Sequence, residues 1–298
     1  MLRNVSNLDL QLLRIFSAIV ECGGFSAAQA ELNMSQSTIS TYIATLETRL
    51  GYRLCDRGRA GFRLTEKGER LLESIQTLYK ALDSFCGDAQ ALAGRLVGEL
   101  KVGLVDHLAT LPGARIADAI ARFYTRDQEV NFRFFVTAPT ELERGVIDGQ
   151  LDMAIAYFGR RLPSLEYTEL YAERIVIYCG RRHPVFARDD PGKEEIEAFD
   201  WVRRGYILPD TLLPVRPTRF SATAHHMEAV MHCILAGTHL GYLPVHCAEP
   251  WVQRGEMRAL APEAFGYEVT HSLITPVGRP RSEALDAFIG DLLRTHGG

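Results

Sequence analysis

The sequence predicts a chain of two parts, a mostly α-helical N-terminal unit and a larger α/β unit. Its 298 residues exceed the usual size of one domain. Apolar residues recur at helical spacing through most of the first 93 residues, whereas strand-like and helix-like segments alternate after residue 95. The hydrophobic fraction of 47% and the charged fraction of 23% are those of an ordinary globular protein.

The composition argues against a membrane protein and against a metal site. No apolar run approaches the roughly 18–20 residues of a membrane span, and the N-terminus MLRNVSNLDLQ lacks the features of a signal peptide. We therefore expect a cytoplasmic protein with no membrane partner. The six cysteines form no CxxC pair and have no zinc spacing, so we expect reduced thiols, no metal and no cofactor. A redox pair of Cys233 and Cys247 is the alternative.

The net charge of −4 is unevenly distributed along the chain. The first 70 residues carry nine basic and seven acidic side chains, so the negative charge lies in the remainder. This asymmetry is mild, and it indicates that the N-terminal part meets a polyanion.

Two short helices are predicted at the start of the chain. Apolar residues at helical spacing predict the first over residues 8–22. A capping box of Ser26 and Gln29 predicts the start of the second, and Asn33 suits the left-handed position that ends it.

A third helix, residues 36–50, is predicted to begin after the N-cap Ser35. Two helices joined by a turn of three or four residues are the helix-turn-helix arrangement. The outer face of this third helix carries small hydroxyl residues, which let a helix approach a surface closely and reach phosphates or base edges. Gln36 suits bidentate pairing with adenine. The face fits a DNA major groove, and a solvated helix face is the alternative.

The third helix is followed by a basic hairpin, residues 53–64, in which arginines bunch at a glycine-containing turn. Beside a recognition helix, such a hairpin is a wing that meets phosphates or the minor groove. The predicted DNA-binding residues are Ser26, Ser35, Gln36, Ser37, Thr38, Ser40, Thr41, Arg53, Arg57, Arg59 and Arg63.

A heptad seam follows on a long helix predicted over residues 65–93. A seam this regular needs a partner, and we favour a homodimer contact, because a dimer presents two recognition helices to two half-sites. The seam residues are Leu71, Ile75, Leu78, Leu82, Phe85 and Leu92.

Residues 8–65 resemble the winged helix-turn-helix domain of LysR-type transcriptional regulators. The matching marks are Phe25-Ser26-Ala27-Ala28, Ser35-Gln36, Ser40, Leu46-Glu47, Leu50-Gly51, Leu54, Arg57 and Leu64-Thr65-Glu66-Lys67-Gly68. The resemblance implies a sequence-specific DNA-binding regulator, usually a tetramer built as a dimer of dimers, with antiparallel linker helices. It places the DNA-binding domain at 1–65, the linker helix for dimerisation at 66–94 and an effector-binding domain at 95–298.

The third helix departs from the pattern of this family at two positions. Thr41 and Ala44 stand where many relatives carry a basic residue. We therefore expect Arg57, Arg59 and Arg63 to supply much of the electrostatic affinity for DNA.

Strands alternating with helices predict βαβ units and a mostly parallel sheet after residue 95. This part resembles the effector-binding domain of the same family, an α/β fold of two lobes like that of periplasmic binding proteins. The marks are the stretches Gly149–Ile155, Ala236-Gly237 and Gly241–Pro244. The resemblance implies lobe I at about 95–168 and 268–298, lobe II at about 169–267, and chain crossings near Thr168–Tyr171 and Phe265–Val269.

Ligands of open α/β sheets bind beyond the carboxyl ends of strands, against helix N-termini. These helix ends together with arginine favour an anionic effector, such as a small carboxylate. The residues that this rule selects are Asp106, His107, Thr110, Thr137, Ala138, Thr140, Arg203, Arg204, Thr223 and His225, with His226 beside them.

Three other functions compete with this interpretation. The chain has no nucleophile elbow, P-loop, dinucleotide fingerprint or HExxH motif, so we do not expect an enzyme. A solute-binding module shares the two-lobed fold but has no use for a DNA-reading unit. A thiol-based redox-sensing regulator would depend on the pair of cysteines named above.

Overall fold

A computed structural model describes residues 5–58, 61–91, 95–189, 191–205 and 213–297. The chain divides into two compact units, Met1–Cys86 and Gly87–Gly298. In the described part of the chain, no helix combines the length and the apolar character that crossing a bilayer requires.

The first unit contains three short helices, a two-stranded hairpin and a long helix. Its elements are α1 (Asn7–Glu21), α2 (Ala28–Leu32), α3 (Gln36–Leu50), β1 (Cys55–Gly58), β2 (Gly61–Leu64) and α4 (Glu66–Ala91). The hairpin is antiparallel, with Cys55 opposite Leu64 and Gly58 opposite Gly61. The helix-turn-helix and the wing predicted from the sequence are therefore present in the structure.

The third helix begins and ends as its sequence predicts. The hydroxyl of Ser35 accepts a hydrogen bond from the Thr38 backbone N–H, and Gly51 ends the helix with φ +84°. Asn33 holds the left-handed conformation before it, with φ +50°.

The predicted capping box at the start of the second helix is wrong. This helix begins at Ala28, after an Ala27 whose methyl group cannot cap it, so Ser26 lies outside the first turn. Gln29 instead joins the two helices of the motif. Its amide nitrogen donates to the Ser26 carbonyl at 3.2 Å, and its amide oxygen accepts from the Gln36 N–H at 3.2 Å.

A buried carboxylate ties the first helix to the third. Asp9 closes the N-terminus of α1 in a capping box with Ser6, and it also pairs with the Arg49 guanidinium on α3. The hydrogen bonds from Ser6, and then Arg49, hold the pKa of Asp9 below its usual value. The two helices therefore keep a fixed relation beneath the exposed face of α3.

The seam on the long helix is shared between two environments. Ile75 is 2% exposed and lies in the core of its own unit, and Leu71 and Leu78 pack against that core. Ile75 therefore has almost no surface left for a second chain, whereas Leu71 and Leu78 are half-buried, and their contact with a second chain stays a prediction. Leu82 and Phe85, at 38% and 69% exposed, extend beyond that core. Leu92 lies outside the described residues.

The second unit is built around a mixed sheet. Its strands are β3 (Leu96–Leu104), β4 (Gln128–Val136), β5 (Met153–Tyr157), β6 (Leu165–Gly180), β7 (Asp200–Arg204), β8 (Arg219–Ala224), β9 (Gly241–Pro244), β10 (Met257–Leu260) and β11 (Tyr267–Pro276). Its helices are α5 (Ile116–Phe123), α6 (Pro139–Ile147), α7 (Lys193–Ala198), α8 (Met227–Leu235), α9 (Val245–Gln253), α10 (Pro262–Phe265) and α11 (Glu283–Thr295).

The main sheet has the strand order β10-β6-β11-β5-β3-β4, with β9 also paired to β6. Strands β3, β4 and β5 are parallel, and so is the separate pair β7 and β8. The sheet is not mostly parallel, because the long strands β6 and β11 run antiparallel to each other. The predicted chain crossings overlap these two strands.

The paired strands β6 and β11 divide the unit into two lobes. Lobe I comprises β3, β4, β5, α5, α6 and α11 with the first half of β6, and lobe II comprises β7 to β10 and α7 to α9 with its second half. Phe123, Phe132 and Phe288 form edge-to-face contacts in the core of lobe I. Each lobe thus has its own core, and two strands connect them.

Thr140 and Glu143 have the spacing that predicts a second capping box, but the structure does not form it. Helix α6 begins at Pro139, so Glu143 falls beyond the third helical position and faces inward. There it accepts a hydrogen bond from the Tyr167 hydroxyl at 3.3 Å, and burial raises the pKa of this carboxyl.

Candidate functional site

The outer face of α3 is exposed and free of large apolar groups. Ser35, Gln36, Ser37, Thr38 and Thr41 are exposed, and Ser40 is half-buried. On the opposite face Ile39, Ile43 and Leu46 are fully buried. One face of α3 is therefore buried in the core, and the other is an exposed surface of small residues that a flat or grooved partner can approach closely.

Most hydroxyl groups on this face are already hydrogen-bonded to α3 itself. The hydroxyls of Thr41, Thr45 and Thr48 donate to the carbonyls four residues earlier, at 3.0, 2.9 and 2.7 Å. This local bonding is common for threonine within helices. With their O–H groups engaged, these threonines offer lone pairs and methyl groups to a partner.

The wing is fixed to the helix-turn-helix by two contacts that the sequence analysis missed. The Glu47 carboxylate on α3 accepts from the Leu54 N–H at 2.7 Å, and Phe62 on β2 packs edge-to-face against Phe25. Position 68 has no room for a side chain, because a Cβ on Gly68 would lie 2.1 Å from the Leu54 carbonyl oxygen.

The predicted basic residues of the wing are only partly described. Arg53 precedes β1 and Arg63 lies on β2, and both are exposed. Arg57 lies on β1 opposite Phe62. Arg59 lies outside the described residues.

A cleft lies between the two lobes and encloses about 20 Å³, about the space that one water molecule takes. The cleft is lined by Val105, Asp106, Thr137, Ala138, Pro139, Tyr157, Glu173, Arg204, His225, His226, Met227, Pro244, Val269 and His271. Five of the ten predicted effector residues are among them, namely Asp106, Thr137, Ala138, Arg204 and His225.

The other five predicted residues do not line the cleft. Thr140 and Thr223 are exposed elsewhere on α6 and β8. The Arg203 guanidinium lies over the Phe220 ring, 4.3 Å from its centroid. His107 follows Asp106 in a left-handed turn, with φ +64°, and Thr110 bonds to His246 at 2.7 Å.

A buried cluster behind the cleft carries chemistry that the sequence analysis missed. The Glu173 carboxylate on β6 accepts hydrogen bonds from His246 at 2.9 Å and from His271 at 3.1 Å. Burial alone raises the pKa of Glu173, but the two imidazoles outweigh it and lower this pKa to about 2. Glu173 is therefore an anion at neutral pH. The three residues of this cluster join β6, β11 and the start of α9.

Asp106 crosses the cleft from lobe I to lobe II. Its Oδ2 accepts a hydrogen bond from the Met227 N–H at 2.6 Å. Met227 is the first residue of α8, where backbone N–H groups and the helix dipole favour negative charge. A side chain of one lobe thus closes the helix N-terminus of the other.

Cys233 and Cys247 of lobe II are free thiols in the structure. Burial, with the nearby Glu173 charge, raises the pKa of Cys247 to about 12, so this thiol stays protonated at neutral pH. Among the residues that the structure describes, no group of three or more His, Cys, Asp or Glu side chains could hold a metal ion.

Two family models match most of the chain. The model described as "Bacterial regulatory helix-turn-helix protein, lysR family" matches residues 10–69. The model described as "LysR substrate binding domain" matches residues 93–297.

Curated relatives and solved structures agree with these matches. The chain is 40% identical to the HTH-type transcriptional activator BauR of Pseudomonas aeruginosa over 291 residues, covering 97% of this chain and 95% of that protein. It is 27% identical to the SDS degradation transcriptional activation protein of a Pseudomonas species, covering 96% and 95% of the two.

Full-length CbnR, solved with its target DNA, shares the fold with a TM-score of 0.68 and 19% identity, covering 96% of this chain and 99% of that one. Full-length OxyR from Pseudomonas aeruginosa gives a TM-score of 0.64 at 19% identity, covering 97% and 95%. With both family models matched along the chain, this protein belongs to the LysR family and is a DNA-binding transcriptional regulator with an effector-binding domain.

Proposed function

We propose that α3 reads operator DNA in the major groove and that the wing binds the adjacent backbone. The exposed small-residue face of α3 supports this, because it admits close approach to base edges. Gln36 and Ser37 lie at the start of this helix, the end that reaches bases in helix-turn-helix proteins. With little charge on the helix, Arg53 and the wing arginines supply the attraction to phosphates.

We also propose that the chain acts as a homodimer and, in pairs of dimers, as a homotetramer. Leu82 and Phe85 lie three residues apart on α4, a spacing within one heptad, and remain exposed beyond the core of their unit. Exposed apolar residues at this spacing are typical of a helix that pairs with a second helix. A protein that acts on DNA in this way is expected in the cytoplasm, without catalytic turnover.

We propose that the cleft binds a small anionic effector. The observation that carries this proposal is the meeting of Arg204 with the N-termini of α6, α8 and α9 at one cleft. No side chain in the described ranges caps α6, whose N-cap is Ala138. The acidic groups here are already engaged, Glu173 by two imidazoles and Asp106 by α8. Both carboxylates are therefore already paired, and Arg204 remains the cationic side chain that lines the cleft.

Binding of the effector would change the closure of the two lobes about β6 and β11. In an oligomer, a change in lobe closure shifts the population between arrangements of the DNA-reading units. A ligand that binds one degree of closure more tightly therefore changes operator binding.

Two neighbouring arginines give a matched test of the cleft. We expect Arg204→Ala to weaken binding of a small carboxylate by about 10- to 100-fold, because it removes a charge-assisted hydrogen bond in a partly buried site. We expect Arg203→Ala to leave binding unchanged, since Arg203 lies over Phe220 outside the cleft. Calorimetric titration of the full-length protein with propionate, lactate, succinate and benzoate measures both.

Equal losses in the two variants would contradict the assignment of Arg204. Binding of cationic amines in preference to all four carboxylates would contradict the proposal of an anionic effector. Conversion of any of these compounds to product would contradict the expectation that the protein is not an enzyme.

A further inference from the structure

The N-terminus of α8 is an anion-binding position, called here the anion seat. Asp106 occupies it in the place that a ligand could take. Its Oδ2 lies 2.6 Å from the Met227 backbone nitrogen, and the Nδ1 atoms of His107 and His226 lie 3.5 and 3.9 Å from the same oxygen. Its side chain keeps 23% exposure, so the seat is open to solvent. His107 holds the turn behind it in a left-handed conformation that non-glycine residues seldom adopt.

The seat belongs to lobe II, but its occupant comes from lobe I. The N-cap residue of α8, His226, makes no side-chain hydrogen bond to the helix within the described residues. The first N–H of α8 is therefore satisfied from across the cleft. A carboxylate that enters the cleft would meet a second carboxylate already bound to the strongest donor in it.

A second observation in the same cleft points to a ligand that carries a hydrogen-bonding group. His271 lines the cleft and is 2% exposed. Its Nε2 donates to Glu173, which leaves Nδ1 as an acceptor, and this Nδ1 is buried with no partner among the residues the structure describes. Buried polar atoms without a partner are uncommon in folded proteins. A ligand that carries a hydroxyl or amino group would satisfy it.

We propose that Asp106 is a built-in competitor of the effector. The effector is a small carboxylate with a hydrogen-bond donor, and its carboxylate takes the place of Asp106 on the N-terminus of α8. The proposal rests on the anionic effector proposed above. Displacement of Asp106 removes a polar contact between the lobes, and the hydrogen bond of Thr110 to His246 is another. Ligand binding is thereby coupled to release of the lobes.

The test compares two substitutions of Asp106 in the full-length protein. Asp106→Asn keeps the hydrogen bond to α8 and removes the charge, and Asp106→Ala removes both. Asp118→Asn is the matched control, because Asp118 is exposed on α5 of the same lobe and pairs with Arg115. Calorimetric titration with lactate, propionate and propylammonium measures the affinity of each variant, and chemical denaturation confirms that each is folded.

We expect Asp106→Ala to bind lactate at least 10-fold more tightly than the wild type, with Asp106→Asn between them and Asp118→Asn unchanged. A residue that only ties the lobes together gives unchanged or weaker binding in both variants, and that result overturns the proposal. Propylammonium binding that is lost in Asp106→Asn also overturns it, because Asp106 would then be a ligand for a cation.

The two proposals fail in different ways. If lactate binding depends on Arg204 but does not strengthen in either Asp106 variant, only the proposal that Asp106 competes with the effector is overturned. If no carboxylate binds to the wild type or to either Asp106 variant, both the proposal of an anionic effector and the proposed role of Asp106 are overturned.

Discussion

Thr41→Glu is expected to weaken operator binding by about 100-fold, close to 2.7 kcal/mol. Thr41 lies at the centre of the exposed face of α3, and its hydroxyl is bonded back to the Ser37 carbonyl. A glutamate at this position projects a carboxylate toward phosphates and base-edge acceptors, where it meets repulsion and blocks close approach. Fluorescence anisotropy with a labelled operator fragment measures the loss.

The matched control is Thr41→Lys, which changes the charge in the other direction. We expect it to retain affinity and to bind non-operator DNA more strongly, with a steeper dependence on salt. Both variants should unfold with nearly the wild-type free energy, because the position is exposed. Operator binding by Thr41→Glu at wild-type affinity would remove α3 from the DNA interface.

Glu173→Ala is expected to lower the free energy of unfolding of the C-terminal unit by about 3 kcal/mol. Its carboxylate is 8% exposed and receives N–H groups of His246 and His271. Its removal leaves two buried donors without a partner, each costing about 1–3 kcal/mol. Urea denaturation at pH 7 measures the change. Glu173→Gln should lose less, since an amide oxygen still accepts one of the two bonds.

Glu169→Ala is the matched control, because Glu169 is exposed on the same strand and pairs with Arg161. We expect it to change stability by less than about 0.5 kcal/mol. A loss for Glu173→Ala no larger than that of the control would show that the buried cluster does not hold β6 and β11 together.

The same substitution has a predicted pH dependence. The folded pKa of Glu173 is lowered to about 2, below its unfolded value of about 4.3. Its stabilising contribution is therefore fully present above about pH 5 and is lost as the pH falls toward 2. The difference in unfolding free energy between wild type and Glu173→Ala should shrink over this range. A constant difference down to about pH 3 would contradict the assigned charge.

The helix-turn-helix could be predicted from the sequence because its signals are local. Ser35, Asn33 and Gly51 each act on backbone within a few residues of themselves, and the structure confirms all three. The two capping boxes failed because the helix starts are shifted by one and by two residues, which moves the third helical position. Sequence patterns do not fix helix starts to that accuracy.

The cleft was predicted only in part, for a different reason. Glu173, His246 and His271 lie in separate segments and carry no motif, so only the crossing of β6 and β11 brings them together. Arg203 and Arg204 are neighbours on β7, and successive side chains of a strand point to opposite faces. The local sequence does not indicate which of the two faces the cleft.

The seam of the long helix shows the limit of periodicity as a guide. Six apolar positions recur at heptad spacing, yet the structure packs Ile75 into its own unit while Phe85 stays exposed. The repeat shows that one side of α4 is covered. It does not show whether the covering surface belongs to the same chain or to another.

Footprinting of the full-length protein on the DNA upstream of its own gene tests the central claim most directly. We predict protection of two half-sites separated by about one helical turn or a multiple of it, with a pattern that changes when lactate or another carboxylate is added. Absence of protection on that DNA and across a library of genomic fragments would contradict the claim that α3 and the wing read an operator.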